Sequence, residues 1–542
     1  MLGSSPDTGL TTGEALVRLL EAYGVELVFG IPGVHTVGLY RGLHGARLRH
    51  VTPRHEQGAG FMADGYARVT GRPAACFVVS GPGVTNILTA MGQAYGDSVP
   101  MLVVSSVNRR DQLGMGKGAL HELPAQQAVA AGVAAFSHTL LSPDQLPEVL
   151  ARAFALFRSA RPRPVHLEIP TDVIAMAAGH LDLTPAALPG RPGPDPACIA
   201  RAAQLLREAE RPAVVLGGGA VDAAEPARAL IELLNAPFTN SVNAKGVMPP
   251  DHPLHLGENL SFLPLRDALR TADLVLAVGT EFGETEMYPE PQELQLDGAL
   301  VRIDIDPQQL ARGPKPAVAI LADARLALDA LLHAVRSPGI VRDGSERAGQ
   351  VRAAVQAQWW PAIAGHRLVL AAVDRALPDA IIVGDQTQPV YGGNQFYQPR
   401  RPRSWFNAST GYGTLGYALP AAIGARLAAP DRPVVALIGD GGCLFTLPEL
   451  ASAVEVGVPI VVLLWNNRGY GEIADYMAET GVPKLGVDLV TPDFVAVARG
   501  FGCAAERATS LDHLERLLAA SVGRSVPTLI EIDQNAPFLG QQ

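Results

Sequence analysis

Two polar residues in the C-terminal third of the chain could together hold a metal ion. Asp440 follows the apolar run 434–439, and Asn467 comes 27 positions later, after a second apolar run at 459–465. Residues 446–456, between the two runs, have helical spacing. Because neighbouring parallel strands end at one edge of a sheet, we expect the carboxylate and the amide to meet there.

Glycines lie on both sides of Asp440. Gly439, Gly441 and Gly442 add no side chains, so their backbone N–H groups can approach phosphate oxygens at the start of a helix. Mg²⁺ usually keeps an octahedron of oxygen ligands from one or two protein groups, phosphates and water. The combined pattern predicts a magnesium–diphosphate site.

Gly-Asp-Gly, followed after about 27 residues by Asn-Asn, resembles the thiamine-diphosphate signature of the 2-oxo acid decarboxylase and acetolactate synthase superfamily. The alternative, a glycine-rich loop with unrelated asparagines, does not account for the strand–helix–strand context. The resemblance implies Mg²⁺ bound by Asp440, Asn467 and Gly469. It also implies that the cofactor is contacted by Pro32, Gly439, Asp440, Gly441, Gly442, Cys443, Asn467 and Tyr470.

Thiamine diphosphate is active only when a carboxylate hydrogen-bonds its aminopyrimidine ring and supports proton removal from thiazolium C2. Residues 53–67 contain His55-Glu56, then a run of small residues and Gly-Tyr-Ala, and the family has a similar segment. The resemblance implies that Glu56 is this activating glutamate. The alternative is a glutamate that stabilises a helix N-terminus through the helix dipole.

Residues 411–416 match Gly-x-Gly-x-x-Gly, the pattern of a dinucleotide-binding loop. We reject that interpretation because residues 405–410 predict a poor buried strand and no acidic ribose partner lies at the right distance. In the resembling family a similar segment wraps the aminopyrimidine. The Gly413 carbonyl would accept a hydrogen bond from it, and Leu415 would be the apolar wedge that bends the cofactor.

The composition excludes several classes of protein. The 542 residues include 43 basic and 53 acidic side chains, for a net charge of −10 and no basic run, which argues against nucleic-acid binding. No apolar stretch reaches about 20 residues, so we expect no membrane span. The N-terminus shows no export signal. Four widely spaced cysteines predict neither a zinc site nor disulfides, which favours the cytoplasm.

Alternating strands and helices predict an α/β fold of three doubly wound parallel-sheet domains. A proline-rich linker at 184–196 and a composition shift around 337–348 divide the chain. We expect a pyrimidine-binding domain at 1–184, a central Rossmann-like domain at 197–336 and a diphosphate-binding domain at 349–542. By resemblance, the first and third act across a subunit boundary, which implies a homodimer assembled further into a homotetramer.

The central domain gives a weak signal. Gly217, Gly218 and Gly219 follow a strand, as a nucleotide-binding turn would, but tight turns and close packing also require glycines. Some members of the family bind FAD or ADP here and others bind nothing. Nucleotide binding stays open, and we expect no flavin that turnover requires.

Residues around the predicted cleft distinguish members of the family. Pyruvate decarboxylases have Asp at the position of Val34, whereas benzoylformate decarboxylases have Ser there and His at the position of Val79. The chain therefore lacks both known proton relays. His35 and His121 are its own candidates, with Leu120 beside the substrate; each histidine could instead be a solvated loop residue.

Glu472 and Tyr476 stand where acetolactate synthases place an apolar Met and a Trp against the substrates. A carboxylate suits a substrate tail that carries a cation, because a guanidinium can make bidentate hydrogen bonds to it. Glu472 could also be a solvated helix residue.

The sequences of residues 29–36, 52–61 and 120–124 look most like those of the 5-guanidino-2-oxopentanoate (2-ketoarginine) decarboxylases of bacterial arginine catabolism. This resemblance implies decarboxylation of that 2-oxo acid to 4-guanidinobutanal and CO₂. The alternatives are an acetolactate-synthase-like carboligase and a non-catalytic binding protein of the same fold. The presence of Glu56, Asp440 and Asn467 argues against the last.

Overall fold

The computed structural model describes residues 9–258, 260–287, 294–336 and 343–540. Within them the chain forms three parallel β-sheets, each flanked by helices, as the alternation of elements predicts. No helix in the described ranges is long and apolar enough to cross a membrane. All four cysteines are described, and each is a free thiol.

The first sheet has the strand order β2-β1-β3-β4-β6-β5. Its strands are β1 (Leu27–Gly30), β2 (Arg49–Val51), β3 (Ala74–Val78), β4 (Met101–Val107), β5 (Phe136–Thr139) and β6 (Val165–Pro170). Its helices are α1 (Thr12–Ala22), α2 (Val37–Leu43), α3 (Glu56–Thr70), α4 (Pro82–Gly96), α5 (Gln126–Ala131), α6 (Leu146–Ser159) and α7 (Thr171–Ile174). β3 and β4 are buried along their whole length, as expected of parallel strands covered on both faces.

The central sheet has the order β11-β10-β9-β7-β8. Its strands are β7 (Pro212–Leu216), β8 (Phe238–Asn240), β9 (Leu274–Val278), β10 (Ala299–Asp304) and β11 (Val318–Leu321). The helices are α8 (Pro196–Glu208), α9 (Ala224–Leu234), α10 (Leu263–Arg270), α11 (Glu284–Met287), α12 (Pro307–Leu310) and α13 (Ala324–Val335). Gly217 packs directly on the backbone of Gly279, so a side chain at Gly217 would clash with it.

The third sheet has the order β13-β12-β14-β15-β17-β16. Its strands are β12 (Ile381–Gly384), β13 (Trp405–Asn407), β14 (Val434–Gly439), β15 (Val461–Asn466), β16 (Ala504–Arg507) and β17 (Thr528–Asp533). The helices are α14 (Gly344–Gln356), α15 (Ile363–Ala376), α16 (Gln388–Phe396), α17 (Ala418–Ala428), α18 (Asp440–Thr446), α19 (Glu449–Val456), α20 (Gly471–Glu479), α21 (Phe494–Gly500) and α22 (Leu511–Ser521).

Two local expectations were wrong. Residues 405–410 do contain a buried strand, β13, which pairs with β12 at the edge of the third sheet. The helix expected over 446–456 begins later than predicted: α19 covers Glu449–Val456, and Thr446 is instead the last residue of α18, with Pro448 between the two helices. Proline has no N–H to continue the hydrogen-bond ladder of α18.

The two predicted domain boundaries differ in how much of each the structure describes. The linker at 184–196 has no helix or strand among its described residues until α8 begins at Pro196. The second boundary lies partly in residues 337–342, outside the described ranges. Helix α14 begins at Gly344 and packs through Ala348 and Val355 with Leu265 and Leu269 of the central region.

Helices α3 and α17 hold the first and third sheets together. A side chain at Gly65 would clash with the carbonyl of Ala421, and one at Gly424 with the carbonyl of Met62. Glycine at these two positions lets the helix backbones touch. This contact fixes the distance between the edges that carry the candidate site.

Candidate active site

Asp440 and Asn467 meet at the carboxyl edge of the third sheet. Strands β14 and β15 pair in parallel up to Gly439 and Trp465, so the residues that follow them emerge side by side. Asp440 is 1% exposed. Burial raises the pKa of its carboxyl group, although the backbone N–H groups of Gly441, Asn467 and Gly469 donate to it.

The polar atoms at this point fit a hard cation. Asp440 Oδ2 is buried and has no hydrogen-bond partner among the described residues. Asn467 Oδ1 accepts from the backbone N–H of Gly469 at 3.2 Å. An unsatisfied buried carboxylate oxygen is costly, and an oxygen-seeking ion such as Mg²⁺ would satisfy it.

The first turn of α18 presents backbone rather than side chains. A Cβ on Gly441 would lie 2.7 Å from the Tyr470 ring, and one on Gly442 would lie 2.8 Å from Asp385 Oδ1. A Cβ on Gly439 would lie 3.2 Å from Thr387 Oγ1. Cys443 is buried in the core, so its predicted contact with a cofactor can come only from its backbone.

The glycine-rich segment after β13 is a loop with three left-handed positions. Gly411, Gly413 and Gly416 have φ values of 63°, 75° and 79°, which favour glycine. Gly413 is exposed and Leu415 is half-buried. The loop lies against α18, where Thr446 Oγ1 donates to the carbonyl of Gly416 at 2.8 Å.

Asp385 and Glu449 are buried carboxylates that the sequence analysis missed. Asp385 follows β12 and accepts the N–H groups of Gly416 and Ala418, while burial raises the pKa of its carboxyl group. Glu449 begins α19 and accepts the N–H groups of Arg54 and His55. An Asp directly after an apolar strand, the signal that revealed Asp440, could have revealed Asp385.

Glu56 is the first residue of α3, which is capped by the His55 side chain. It is 9% exposed, and its Oε2 accepts a hydrogen bond from Asn86 Nδ2 at 2.9 Å. A Cβ on Gly83 would lie 3.5 Å from Glu56 Oε1. The structure thus places Glu56 at the edge of the first sheet, beside the start of α4.

His35 and His121 meet at the same edge. Their rings are 5.2 Å apart in an edge-to-face arrangement, and His35 Nδ1 lies 2.5 Å from Ser80 Oγ. Burial, together with the His121 ring, lowers the pKa of His35. His121 has a φ of 60°, and its buried Nδ1 has no hydrogen-bond partner among the described residues.

Glu122 holds the loop that presents His121. Its carboxylate accepts the backbone N–H groups of Gly116 and Ala119 at 2.8 and 2.9 Å. Val34 and Leu120 lie on neighbouring loops with 77% and 58% of their surface exposed, and Pro32 is exposed too. The first-sheet edge therefore carries apolar side chains that a single chain leaves in water.

Glu472 and Tyr476 lie on α20, which follows the Asn467 loop. Both residues are exposed, yet the Glu472 carboxyl faces Gln388. Burial of that carboxyl, and the nearby charges of Asp475 and Glu479, raise its pKa.

No hydrogen bond among the described residues joins Glu56 to Asp440 or Asn467. Gly58 packs on Glu449, nine residues beyond Asp440 and separated from it by α18. Tyr417 contacts Asp64, which is about 12 Å along α3 from Glu56 at 1.5 Å per residue. The candidate residues therefore form two groups, one at each sheet edge.

Comparisons with known proteins match three parts of the chain to one enzyme family. Residues 10–129 match the model of the N-terminal TPP binding domain of thiamine pyrophosphate enzymes. Residues 199–331 match the central domain of these enzymes, and residues 385–532 match their C-terminal TPP binding domain.

Relatives match over nearly the whole chain. The probable 2-ketoarginine decarboxylase AruI of Pseudomonas aeruginosa is 51% identical over 538 residues, which are 98% of this chain and 95% of the relative. The acetolactate synthase large subunit of Corynebacterium glutamicum is 33% identical, over 93% and 83% of the two chains. The isozyme 1 large subunit of Escherichia coli acetolactate synthase is 32% identical, over 96% and 93%.

The chain belongs to the thiamine pyrophosphate enzyme family. Its cofactor is thiamine diphosphate, for which Mg²⁺ is the usual metal partner in this family. The resemblance inferred from the Asp440 and Asn467 motifs is confirmed at the level of the family and the fold.

Proposed function

We propose that the protein is a Mg²⁺-dependent 2-oxo acid decarboxylase that converts 5-guanidino-2-oxopentanoate to 4-guanidinobutanal and CO₂ in arginine catabolism. The 51% identity to a probable 2-ketoarginine decarboxylase, against 32–33% to the two acetolactate synthase subunits, carries this proposal. The acidic Glu472, in place of an apolar residue, supports a cationic substrate tail.

The residues divide the work between the two sheet edges. Asp440, Asn467 and Gly469 hold Mg²⁺, and the backbone of residues 439–443 receives the diphosphate. Bound thiamine diphosphate supplies the electron sink for loss of CO₂. Glu56 hydrogen-bonds the aminopyrimidine, and Leu415 supports the bent cofactor.

His121 and His35 supply the proton that completes aldehyde formation. Their rings adjoin each other, and His121 Nδ1 is buried without a partner among the described residues. Proton transfer by a positioned side chain is worth roughly 10²–10⁴-fold. His121→Ala should therefore lower aldehyde release by about 10²-fold while CO₂ loss in a single turnover persists. Unchanged aldehyde release would remove His121 from this role.

The substrate is tested with a panel of purified 2-oxo acids, scoring CO₂ and aldehyde. We expect the highest kcat/KM on 5-guanidino-2-oxopentanoate and a low value on pyruvate. A carboligation product from pyruvate, formed faster than any aldehyde, would favour an acetolactate-synthase-like carboligase instead.

Glu472→Gln tests recognition of the guanidinium tail. Since Glu472 is exposed in the single chain, solvent screening limits the expected loss on the guanidino substrate to about fivefold, mainly in KM. An uncharged 2-oxo acid of similar length should be unaffected. Asp475→Asn, on the same helix, is the matched control and should change neither substrate by more than about twofold. Equal losses from both variants would exclude a specific contact.

The complete site requires a second copy of the chain, in a homodimer that pairs into a homotetramer. The separation of Glu56 from Leu415 and Asp440 supports this, as do exposed apolar residues at both edges, such as Val34 and Phe445. Mixing Glu56→Gln and Asp440→Ala subunits should restore about a quarter of wild-type activity, because half the random pairs hold one intact site. A site within one chain would give no recovery.

The domain at residues 1–184 binds the pyrimidine and the domain at 349–542 binds the diphosphate. The central domain lies between them, at residues 197–336. The four free thiols support a cytoplasmic location. Fractionation of the native host would test it.

A further inference from the structure

The two residues that flank Leu415 are held by side chains from different parts of the fold. The backbone N–H of Thr414 donates to Gln93 Oε1 at 3.3 Å, and that of Gly416 donates to Asp385 Oδ1 at 3.2 Å. Gln93 lies on α4 beside the first sheet, whereas Asp385 follows β12 of the third sheet. Both side chains are 0% exposed.

Gln93 has one orientation available to it. Its Nε2 donates to Asp97 Oδ2 at 2.6 Å and to the carbonyl of Thr410 at 3.3 Å. Asp97 is in turn paired with the buried guanidinium of Arg68. Because the amide nitrogen is used in this way, the amide oxygen must face the N–H of Thr414.

Asp385 holds the other side of the wedge residue. Its Oδ1 accepts from Gln386 as well as Gly416, and its Oδ2 accepts from the N–H of Ala418 at 2.9 Å. Acceptance by a carboxylate makes such hydrogen bonds stronger than neutral ones. The same carboxylate packs on Gly442 of α18, next to the proposed diphosphate site.

The loop itself gives little rigidity to Leu415. Gly411, Gly413 and Gly416 have positive φ, and glycine restricts the backbone less than any other residue. A fixed position for Leu415 must then come from hydrogen bonds to the backbone of Thr414 and Gly416. Thr446 adds a third, since its Oγ1 donates to the carbonyl of Gly416 at 2.8 Å.

We propose that Gln93 and Asp385 are positioning residues that clamp Thr414 and Gly416 and so hold the Leu415 side chain against the cofactor. This inference rests on the proposed role of Leu415. The Gln93 amide lies beside the first sheet and the Asp385 carboxylate belongs to the third. The relative position of the two sheets therefore sets the position of the Leu415 side chain.

The experiment compares Gln93→Met, Asp385→Asn and Leu415→Ala in the full chain. Gln93→Met keeps the shape but removes the acceptor, and Asp385→Asn points an amide donor at backbone N–H groups. Gln127→Met and Asp374→Asn are matched controls, because Gln127 contacts Ser137 and Asp374 contacts Tyr397, outside the loop. The readouts are hydrogen–deuterium exchange of residues 410–417, affinity for thiamine diphosphate, and proton exchange at C2 of the bound cofactor.

We expect faster amide exchange in the loop and about 10²-fold slower C2 proton exchange in both clamp variants, since a displacement near 1 Å costs about that much. Cofactor affinity should change by less than about threefold, because diphosphate and metal contacts supply it. The two controls should match the wild type. Unaltered protection of α17 identifies the variants as folded, and if Asp385→Asn fails to fold, Gln93→Met alone decides.

The outcomes separate this inference from the proposed function. If Leu415→Ala slows C2 exchange and the clamp variants do not, the clamp is wrong and the wedge stands. If Leu415→Ala has no effect, the assignment of Leu415 fails first. Loss of loop protection without loss of C2 exchange would also overturn the clamp.

Discussion

The first and third sheets have one topology but differ in what lies at their carboxyl edges. The strand orders β2-β1-β3-β4-β6-β5 and β13-β12-β14-β15-β17-β16 are the same order repeated. The third edge carries glycines, Asp440 and Asn467, with Asp440 1% exposed. The first edge carries Glu56, two histidines and exposed apolar residues, with Val34 77% exposed.

In the proposed function, this difference separates cofactor binding at the third edge from proton transfer at the first. The third edge has a buried carboxylate oxygen without a partner among the described residues and a glycine-lined helix start, which suit a metal and a diphosphate. The first edge has titratable groups that can move protons. The same fold can serve both tasks because parallel sheets place their loops at one edge, and loop residues change without disturbing the strands.

The sharpest test of this division is Glu56→Gln. The amide keeps the shape and one acceptor but cannot support the tautomer shift of the aminopyrimidine. We expect C2 proton exchange and turnover to fall by roughly 10³-fold or more, at the upper end of acid–base effects, while thiamine diphosphate still binds. C2 exchange of the bound cofactor measures this directly.

Asn86→Ala is the control for Glu56→Gln. It removes the hydrogen bond that Asn86 makes to Glu56 but leaves the carboxyl group in place, so its effect should be much smaller. Wild-type exchange rates in Glu56→Gln would mean that the first edge does not carry the chemistry, and the comparison would fail.

Asp440→Ala should produce the converse result. Removing a buried carboxylate ligand should weaken retention of Mg²⁺ and thiamine diphosphate together, by about 3 kcal/mol or 10²-fold. Asn467→Ala should act in the same direction more mildly, since it removes a neutral ligand. Equilibrium dialysis at low Mg²⁺ gives both affinities.

The conservative control is Asp440→Glu, which keeps the charge and should lose less affinity than Asp440→Ala. If Asp440→Ala retains the full complement of cofactor at low Mg²⁺ while its turnover fails, the third edge does chemistry instead of binding. Cofactor binding would then have to be assigned to the first edge and the chemistry to the third.

The parts of the site that the sequence predicts are those set by local order. Asp440 and Asn467 each follow an apolar strand, so their meeting requires only that the strands be parallel neighbours. Val34 and Glu56 likewise sit in short patterns. The three sheets follow from the alternation of strands and helices, which hydrophobic periodicity reveals.

The remainder depends on contacts between distant residues. Gln93 and Thr414 are 321 positions apart, and Glu449 and Arg54 are 395 apart. No local pattern marks an amide or carboxylate that will be buried against another domain. Strand β13 was missed for a related reason: its three residues are too few to show a strand pattern, and they are placed by pairing with β12.

Buried histidines provide a final contrast between the first and third regions, in the hydrogen bonding of their imidazole rings. Strand β6 contains His166, which is 0% exposed, with its two ring nitrogens 2.8 Å from Ser105 Oγ and 2.7 Å from Ser137 Oγ. In the third region His366 of α15 packs on Trp465 of β15 and is also 0% exposed, but neither of its ring nitrogens has a hydrogen-bond partner among the described residues, and burial lowers its pKa to about 4. Burial lowers the pKa of His166 to about 3.

The sign of the effect follows from this pKa. A histidine in the unfolded chain titrates near pH 6.5. Below that pH, His166 binds a proton in the unfolded chain but stays neutral in the folded protein. The stability associated with neutral His166 is complete above pH 6.5 and is lost as the pH falls. Between pH 7.5 and pH 5 the loss should be about 2 kcal/mol in the free energy of unfolding.

His166→Gln should remove this dependence, because glutamine offers a donor and an acceptor but does not titrate. Urea unfolding gives the free energy of unfolding of each protein at pH 7.5 and at pH 5. The decrease between the two pH values should be about 2 kcal/mol smaller in His166→Gln than in the wild type. His44→Gln, at an exposed position of the same region, should leave the pH dependence unchanged. If His166→Gln leaves it unchanged too, the acid sensitivity belongs to other groups, such as the buried His366 of the third region.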